Sequence, residues 1–202
     1  GIGTADEVGA WHTPFQRHPG VPGRIVTAKK SLHYSDDGGD SWTTWSEMGD
    51  VRSTALALSP SNPELALVAK NNMLYARQDM AGFTQVEGLP GLQIGDVSYA
   101  QADSNQEWWV AFAGYEEDTK VWRTPDGGLS WENLSAGLPN LPIHCLLKLA
   151  DGTWLCGSDL GVHVWSDASQ SWNAFGEGLP LTPVTDLKED LILNRVVAGT
   201  YG

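Results

Sequence analysis

Apolar residues in this chain come in short runs broken by Gly, Pro, Asn and Asp, and helical periodicity is absent. Runs of this length, rich in Val, Ile and Trp, predict strands that recur in a fixed order. One set covers Ile25-Ala28, Ala66-Ala69, Trp108-Phe112, Trp154-Gly157 and Val196-Thr200. Each of the first four is followed by a partner at Leu32-Ser35, Met73-Ala76, Val121-Thr124 or Val162-Ser166. A third set, Thr54-Leu58, Asp96-Ala100, His144-Leu149 and Val184-Leu187, precedes the long runs. Many runs are continuously apolar rather than alternating, as expected of strands covered on both faces.

The turns carry a repeat. Ser35-Asp36-Asp37-Gly38-Gly39-Asp40-Ser41-Trp42 and Thr124-Pro125-Asp126-Gly127-Gly128-Leu129-Ser130-Trp131 share the pattern Ser/Thr-x-Asp-Gly-Gly-x-Ser-Trp. In a tight turn the carboxylates of Asp37 and Asp126 can accept bonds from backbone amides. Gly39 and Gly128 permit a positive φ, and the hydroxyl and indole can pin the flanking strands. Degraded copies are Thr4 to Trp11, which keeps Thr4, Asp6 and Trp11; Ser166 to Trp172, one residue short; and Ala76 to Phe83. A second marker, Gly-Leu-Pro, stands at 88–90, 137–139 and 178–180, with Gly20-Val21-Pro22 read as a further copy and none after Trp42.

These octamers resemble the Asp-box, or bacterial neuraminidase repeat, class of β-propellers, which includes sialidases, xyloglucanases, the sortilin ectodomain and photosystem II assembly factors. The resemblance implies an all-β propeller, with residues 1–202 forming a single domain, either complete or part of a longer chain. The closing aromatics Trp11, Trp42, Phe83, Trp131 and Trp172 are 31, 41, 48 and 41 residues apart, and the wrap from Trp172 past the end to Trp11 is again 41. That spacing predicts five blades, the last closed by both termini, with Ile2-Thr4 as its third strand; a fragment of a larger propeller is the rival. The short first step predicts a blade without its innermost strand, or a missing stretch.

Composition changes the picture in three ways. Ten Trp against four Phe is explained by closing aromatics and packing between blades in preference to sugar stacking. A net charge of -13 argues against nucleic acid or an anionic membrane as partner, and no apolar run is long enough to span a bilayer. Cys145 and Cys156 flank a turn at Ala150-Asp151-Gly152-Thr153. One register pairs Leu147 with Cys156 and makes the cysteines diagonal neighbours; another sets them opposite, so free thiols and a bridge both stay open.

In the resembled family the functional end is formed by fourth-to-first and second-to-third strand loops, which puts Asp37 and Asp126 on the opposite, structural rim. The candidate binding rim is then Lys29, Lys30, Asn71, Asn72, Tyr115, Glu116, Glu117, Asp118, His144, Asp159 and Tyr201. The carboxylates at 116–118 beside Tyr115 suit a basic protein surface and lack calcium-loop spacing. A sialidase would need three converging arginines; Arg123 and Arg77 lie within repeat units and read as structural. A glycoside hydrolase would need two channel-facing carboxylates, for which Asp96 and Asp186 stand in innermost strands. The histidines show no ligand spacing, and no cofactor or metal is expected. The expectation is a non-enzymatic protein-binding or assembly-scaffold propeller, with a carbohydrate-binding or hydrolase-like propeller as the alternative.

Overall fold

A computed structural model describes residues 9–79, 81–100, 105–176 and 178–201. The described residues form eighteen strands in five antiparallel sheets. The first sheet holds β1 (Phe15–Arg17), β2 (Ile25–Ala28), β3 (Leu32–Ser35) and β4 (Thr43–Ser46). The second holds β5 (Ala55–Leu58), β6 (Ala66–Lys70), β7 (Met73–Arg77) and β8 (Thr84–Val86). The third holds β9 (Ile94–Tyr99), β10 (Trp108–Phe112), β11 (Val121–Thr124) and β12 (Glu132–Asn133). The fourth holds β13 (Ile143–Lys148), β14 (Trp154–Ser158), β15 (Gly161–Ser166) and β16 (Ser171–Ala174). The fifth pairs β17 (Val184–Asp190) with β18 (Arg195–Thr200), whose outer edge meets no other described strand.

Each four-stranded sheet is a meander whose strands follow chain order. The second strands are buried throughout in the second, third and fourth sheets because a neighbouring sheet covers each face. The core therefore consists of layers between sheets. Between the third and fourth, Trp109 stacks on Trp154 with centroids 4.3 Å apart, and Trp165 and Trp172 meet Trp109 edge-on, both at 6.3 Å. Between the first and second, Trp45 meets Tyr34 at 6.2 Å and Phe83 at 5.9 Å. Such pairs contribute about 1 kcal/mol each beyond the area they bury.

The two full octamers fold alike at the β3–β4 and β11–β12 turns. Ser35 Oγ accepts the Gly39 N–H at 2.8 Å and donates to Asp37 Oδ1 at 2.6 Å. Asp37 accepts the Ser41 N–H at 2.9 Å and its hydroxyl at 2.5 Å. Thr124, Asp126, Gly128 and Ser130 repeat these bonds at 2.9, 2.8, 2.8 and 2.6 Å. With so many donors aimed at it, Asp37 is held well below the ordinary carboxylate range, first by Ser35; Asp126 is likewise lowered, first by Ser130.

At 88–90 and 137–139 the Gly-Leu-Pro marker is a seat for the next sheet's closing tryptophan. Trp131 Nε1 donates to Glu87 O at 3.1 Å, and Gly88 lies against the same indole. Trp172 Nε1 donates to Leu134 O at 2.7 Å and its backbone N–H to Ala136 O at 2.8 Å. A Cβ on Gly137 would stand 2.3 Å from Trp172 O. The marker is missing after Trp42 where the next closing residue is Phe83, which has no ring N–H to seat.

Several sequence expectations are corrected. The first sheet does have an innermost strand: β1, too short and polar to register as an apolar run. The short step arises instead because three residues separate Trp11 from β1, against ten to twelve after the other closing aromatics. Gly20-Val21-Pro22 lies in the β1–β2 hairpin, not in a fourth-to-first loop, so it is no copy of the marker. Trp11 is 93% exposed. Thr4, Asp6 and the strand placed at Ile2-Thr4 lie outside the described residues. The Ser166 copy makes only a loose turn, Ser169 N–H to Ser166 Oγ at 3.3 Å, yet its Trp172 is fully packed. Neither cysteine register holds: Leu146 pairs with Cys156 and Cys145 with Gly157. The Leu149 N–H closes onto Thr153 O, making a three-residue loop. The two thiols are free, on opposite faces of the sheet and in different core layers.

Candidate functional site

Residues of all five first strands, β1, β5, β9, β13 and β17, line one cavity of about 900 Å³. Side chains tie neighbouring first strands across it. Gln16 Oε1 accepts the Leu58 N–H at 2.8 Å, Asp96 Oδ2 accepts the Leu146 N–H at 2.8 Å, and Cys145 Sγ donates to Val184 O at 3.7 Å.

Three first strands slip register against their second strands at the same level, leaving one unpaired residue each. These residues, Gly95, His144 and Thr185, all line the cavity, as bulges at functional rims commonly do. A Cβ on Gly95 would stand 2.2 Å from Ile143 O, so only glycine lets the third and fourth sheets approach so closely. His144 Nε2 lies 2.7 Å from Asp159 Oδ1, in the β14–β15 turn. His12 Nε2 lies 3.3 Å from the hydroxyl of Tyr201, just past β18. The mouth is thus polar and half-exposed.

The carboxylates of the wall are already engaged. Asp96 also accepts the Val97 N–H at 2.9 Å; burial outweighs these amides and pushes its carboxyl up to about 7. Asp186 pairs with Lys188 at 3.0 Å. No arginine lines the cavity among the described residues. Arg24 holds Asp36 bidentately at 2.6 and 3.0 Å, Arg77 pairs with Glu64 at 3.6 Å, and Arg123 with Glu107 at 3.0 Å. Arg24 and Arg77 meet at Glu64, away from the cavity, without Arg123, and no three His, Cys, Asp or Glu side chains gather as a metal site among the described residues.

Of the predicted rim, His144, Asp159 and Tyr201 reach the cavity mouth. The others sit outside it on the second-to-third turns. Lys30 Nζ lies 3.3 Å from Asp50, and Lys29 O accepts the Ser53 N–H at 2.8 Å. Asn71, in left-handed conformation (φ 56°), accepts the Ile94 N–H on its carbonyl at 2.7 Å, and Asn72 Nδ2 donates to Gly91 O at 3.2 Å. These two turns brace the following sheet. Tyr115, Glu116, Glu117 and Asp118 project from the β10–β11 loop, Tyr115 66% exposed.

Sequence reasoning missed His12 and Thr185 at the mouth. Aligning the repeats on Ile94, Ile143 and Val184 would have found Thr185 as the partner of Gly95 and His144. Lys70, which the sequence sets with Asn71 and Asn72 in a second-to-third loop of the candidate face, is instead the last residue of β6 and 1% exposed, its ammonium donating to Lys30 O, Met48 O and Val51 O at 2.6, 2.7 and 2.9 Å.

No protein-family model matches the chain, and no curated protein matches it. Its fold is nevertheless that of known β-propellers. It is similar to the GH74 xyloglucanase from Xanthomonas campestris over 98% of this chain and 37% of the enzyme, with TM-score 0.72 and 14% identity. It is similar to the Myceliophteria thermophila Cps50 (Swd1) β-propeller domain over 93% and 62%, with TM-score 0.71 and 11% identity. Its likeness to YCF48 bound to D1 peptide covers 94% and 62%, with TM-score 0.64 and 14% identity. The chain spans between 23% and 62% of the length of such structures. At these identities the likeness establishes the propeller fold, and it extends to enzymes and binding proteins alike. Among the described residues, no helix is long and apolar enough to cross a membrane.

Proposed function

We propose that the chain is a non-enzymatic propeller of the Asp-box kind that binds another protein. The binding face is the end carrying the cavity mouth and the second-to-third turns, including Lys29, Lys30, Asn71, Asn72 and Tyr115 to Asp118. Residues 1–202 form one domain on this reading, a five-bladed ring whose fifth blade is completed by N-terminal residues. The His12–Tyr201 contact supports that closure, since it brings the described N-terminal segment to the end of β18.

The observation that carries the reading is the engagement of the cavity carboxylates: Asp96 by amides, Asp186 by Lys188, Asp159 by His144. A hydrolase needs two carboxyl groups left to the substrate. A binding face needs shape, exposed aromatics and a defined charge, and this end offers all three.

The test is affinity capture from host fractions with the unmodified chain, a Glu116/Glu117/Asp118 triple-alanine variant and His144→Ala. A partner lost with either variant supports the reading. A partner retained by both, or none in any fraction, counts against it. The carbohydrate reading rests on the rings of Phe15, Tyr99 and Tyr201 in the cavity lining. A glycan-array signal lost in Tyr201→Ala would favour it.

A further inference from the structure

We propose that the groove between the third and fourth sheets, at the end bearing the octamer turns, binds an arginine side chain of a partner protein. This surface lies at the opposite end from the cavity mouth.

Between the first and second sheets an equivalent groove is closed by the chain's own arginines. Glu64 joins Arg24 at 3.3 Å and Arg77 at 3.6 Å. Each guanidinium lies over a ring, Arg24 at 5.0 Å from Tyr34 and Arg77 at 5.2 Å from Trp45. A space of about 230 Å³ remains.

Between the third and fourth sheets the matching positions are exchanged. Glu107 precedes β10 where Arg24 precedes β2. Gly152 stands two residues before β14 where Glu64 stands two before β6. Trp165 is the fifth residue of β15 where Arg77 is the fifth of β7. Both donated guanidinium groups are therefore gone, and the groove opens to about 470 Å³. Its charged lining comprises Glu107, Glu132, Asp151 and Asp167 against Arg123 and Lys148. Arg123 pairs with Glu107 at 3.0 Å and Glu132 at 3.6 Å, so that their charges largely offset and Asp151 and Asp167 stand against Lys148, which sits 5.8 Å above the Trp154 ring.

What remains is a net negative slot with the half-buried Trp165 in its wall. Asp167 already accepts the Trp165 indole N–H at 2.8 Å, which fixes ring and carboxylate together. A planar cation is complementary to a ring wall beside carboxylates, and guanidinium meets both demands better than a hydrated ammonium. The incoming arginine packs against Trp165, the residue that stands at the position of Arg77, within the wider groove.

The probe is the peptide acetyl-Gly-Gly-Arg-Gly-Gly-amide, with its citrulline counterpart as neutral isostere. Binding to the full chain is followed by NMR through the Trp165 indole N–H, assigned with Trp165→Phe. Saturable shifts at Trp165, at least roughly ten-fold weaker for citrulline, are expected from a charge-assisted contact. Glu132→Gln/Asp167→Asn, at exposed positions that leave the core intact, is expected to weaken binding by a similar factor. Trp165→Arg, followed instead through the indole N–H of Trp109 in the same groove, restores the self-filled arrangement and is expected to abolish binding. His144→Ala, at the other end, leaves it unchanged. Equal binding of the citrulline peptide, insensitivity to the carboxylate variant, or loss only with His144→Ala would overturn the proposal.

Discussion

The Asp96 carboxylate accepts the Leu146 N–H at 2.8 Å and so joins the first strands of the third and fourth sheets through a side chain. No backbone ladder links these strands, because each pairs only within its own sheet. Burial raises the Asp96 carboxyl to about 7, well above its ordinary 3.8. Between those values the folded protein binds the proton that the unfolded chain has released. The contribution of Asp96 to stability is thus greatest below about pH 4 and falls as pH rises toward 7. Thermal unfolding at pH 4, 5, 6 and 7 is expected to show this decline, and Asp96→Asn to flatten it. A variant with an unchanged slope would show that Asp96 is ionised throughout.

The octamer turns have the opposite sign. Asp37 and Asp126 are lowered by their hydroxyl and amide donors. Their contribution is complete above the ordinary carboxylate range and is lost as pH falls below that range toward their lowered folded values. Replacing Asp37 by Asn or Ser35 by Ala is expected to speed hydrogen exchange at Gly39 and Ser41 locally. Exchange that stays at the unmodified rate would mean the turn is held by its glycines alone.

Seating of the closing indoles is testable by subtraction. Trp131→Phe and Trp172→Phe each remove one indole donor while keeping most of the ring, which is expected to cost about 1 kcal/mol apiece. The two costs are expected to add, since the donors have separate acceptors in Glu87 and Leu134. Gly137→Ala is expected to cost more, over about 2 kcal/mol, because a positive φ and a collision with Trp172 coincide. Urea unfolding of the three variants and the double variant gives the comparison.

Lys70 is a different kind of fastener. Its buried ammonium joins the β2–β3 turn of the first sheet to the loop leading into the second. Lys70→Met keeps the volume and leaves three carbonyls without their donor, with an expected loss of roughly 3 kcal/mol. Stability unchanged within about 0.5 kcal/mol would mean that water replaces the ammonium without penalty.

The second and third strands of each sheet were legible almost to the residue because each is a short apolar run ended by a turn residue. Ile25–Ala28, Trp108–Phe112 and Val121–Thr124 stand as the sequence predicts. The octamer geometry was equally legible, because every bond in it is local. Less legible were features that depend on neighbouring sheets. β1 has one inward polar side chain and no apolar signature; what makes it an inner strand is Gln16 reaching the Leu58 amide. The cysteine register turned on a single loop residue, and one residue exchanges the two faces of a strand. At the mouth, His144, Asp159 and Tyr201 were placed by counting repeats. His12 was hidden because its neighbour Tyr201 is 189 positions away.

That exchange of faces has a practical consequence. Cys145 and Cys156 are buried in two separate seams, one toward the fifth sheet and one toward the third. Burial also raises both thiols, Cys145 to about 12, so neither reacts while its seam is shut. The chain therefore carries a natural stopwatch for each joint of the fourth sheet. Alkylation timed separately at the two sulfurs reads out which joint parts first and how often.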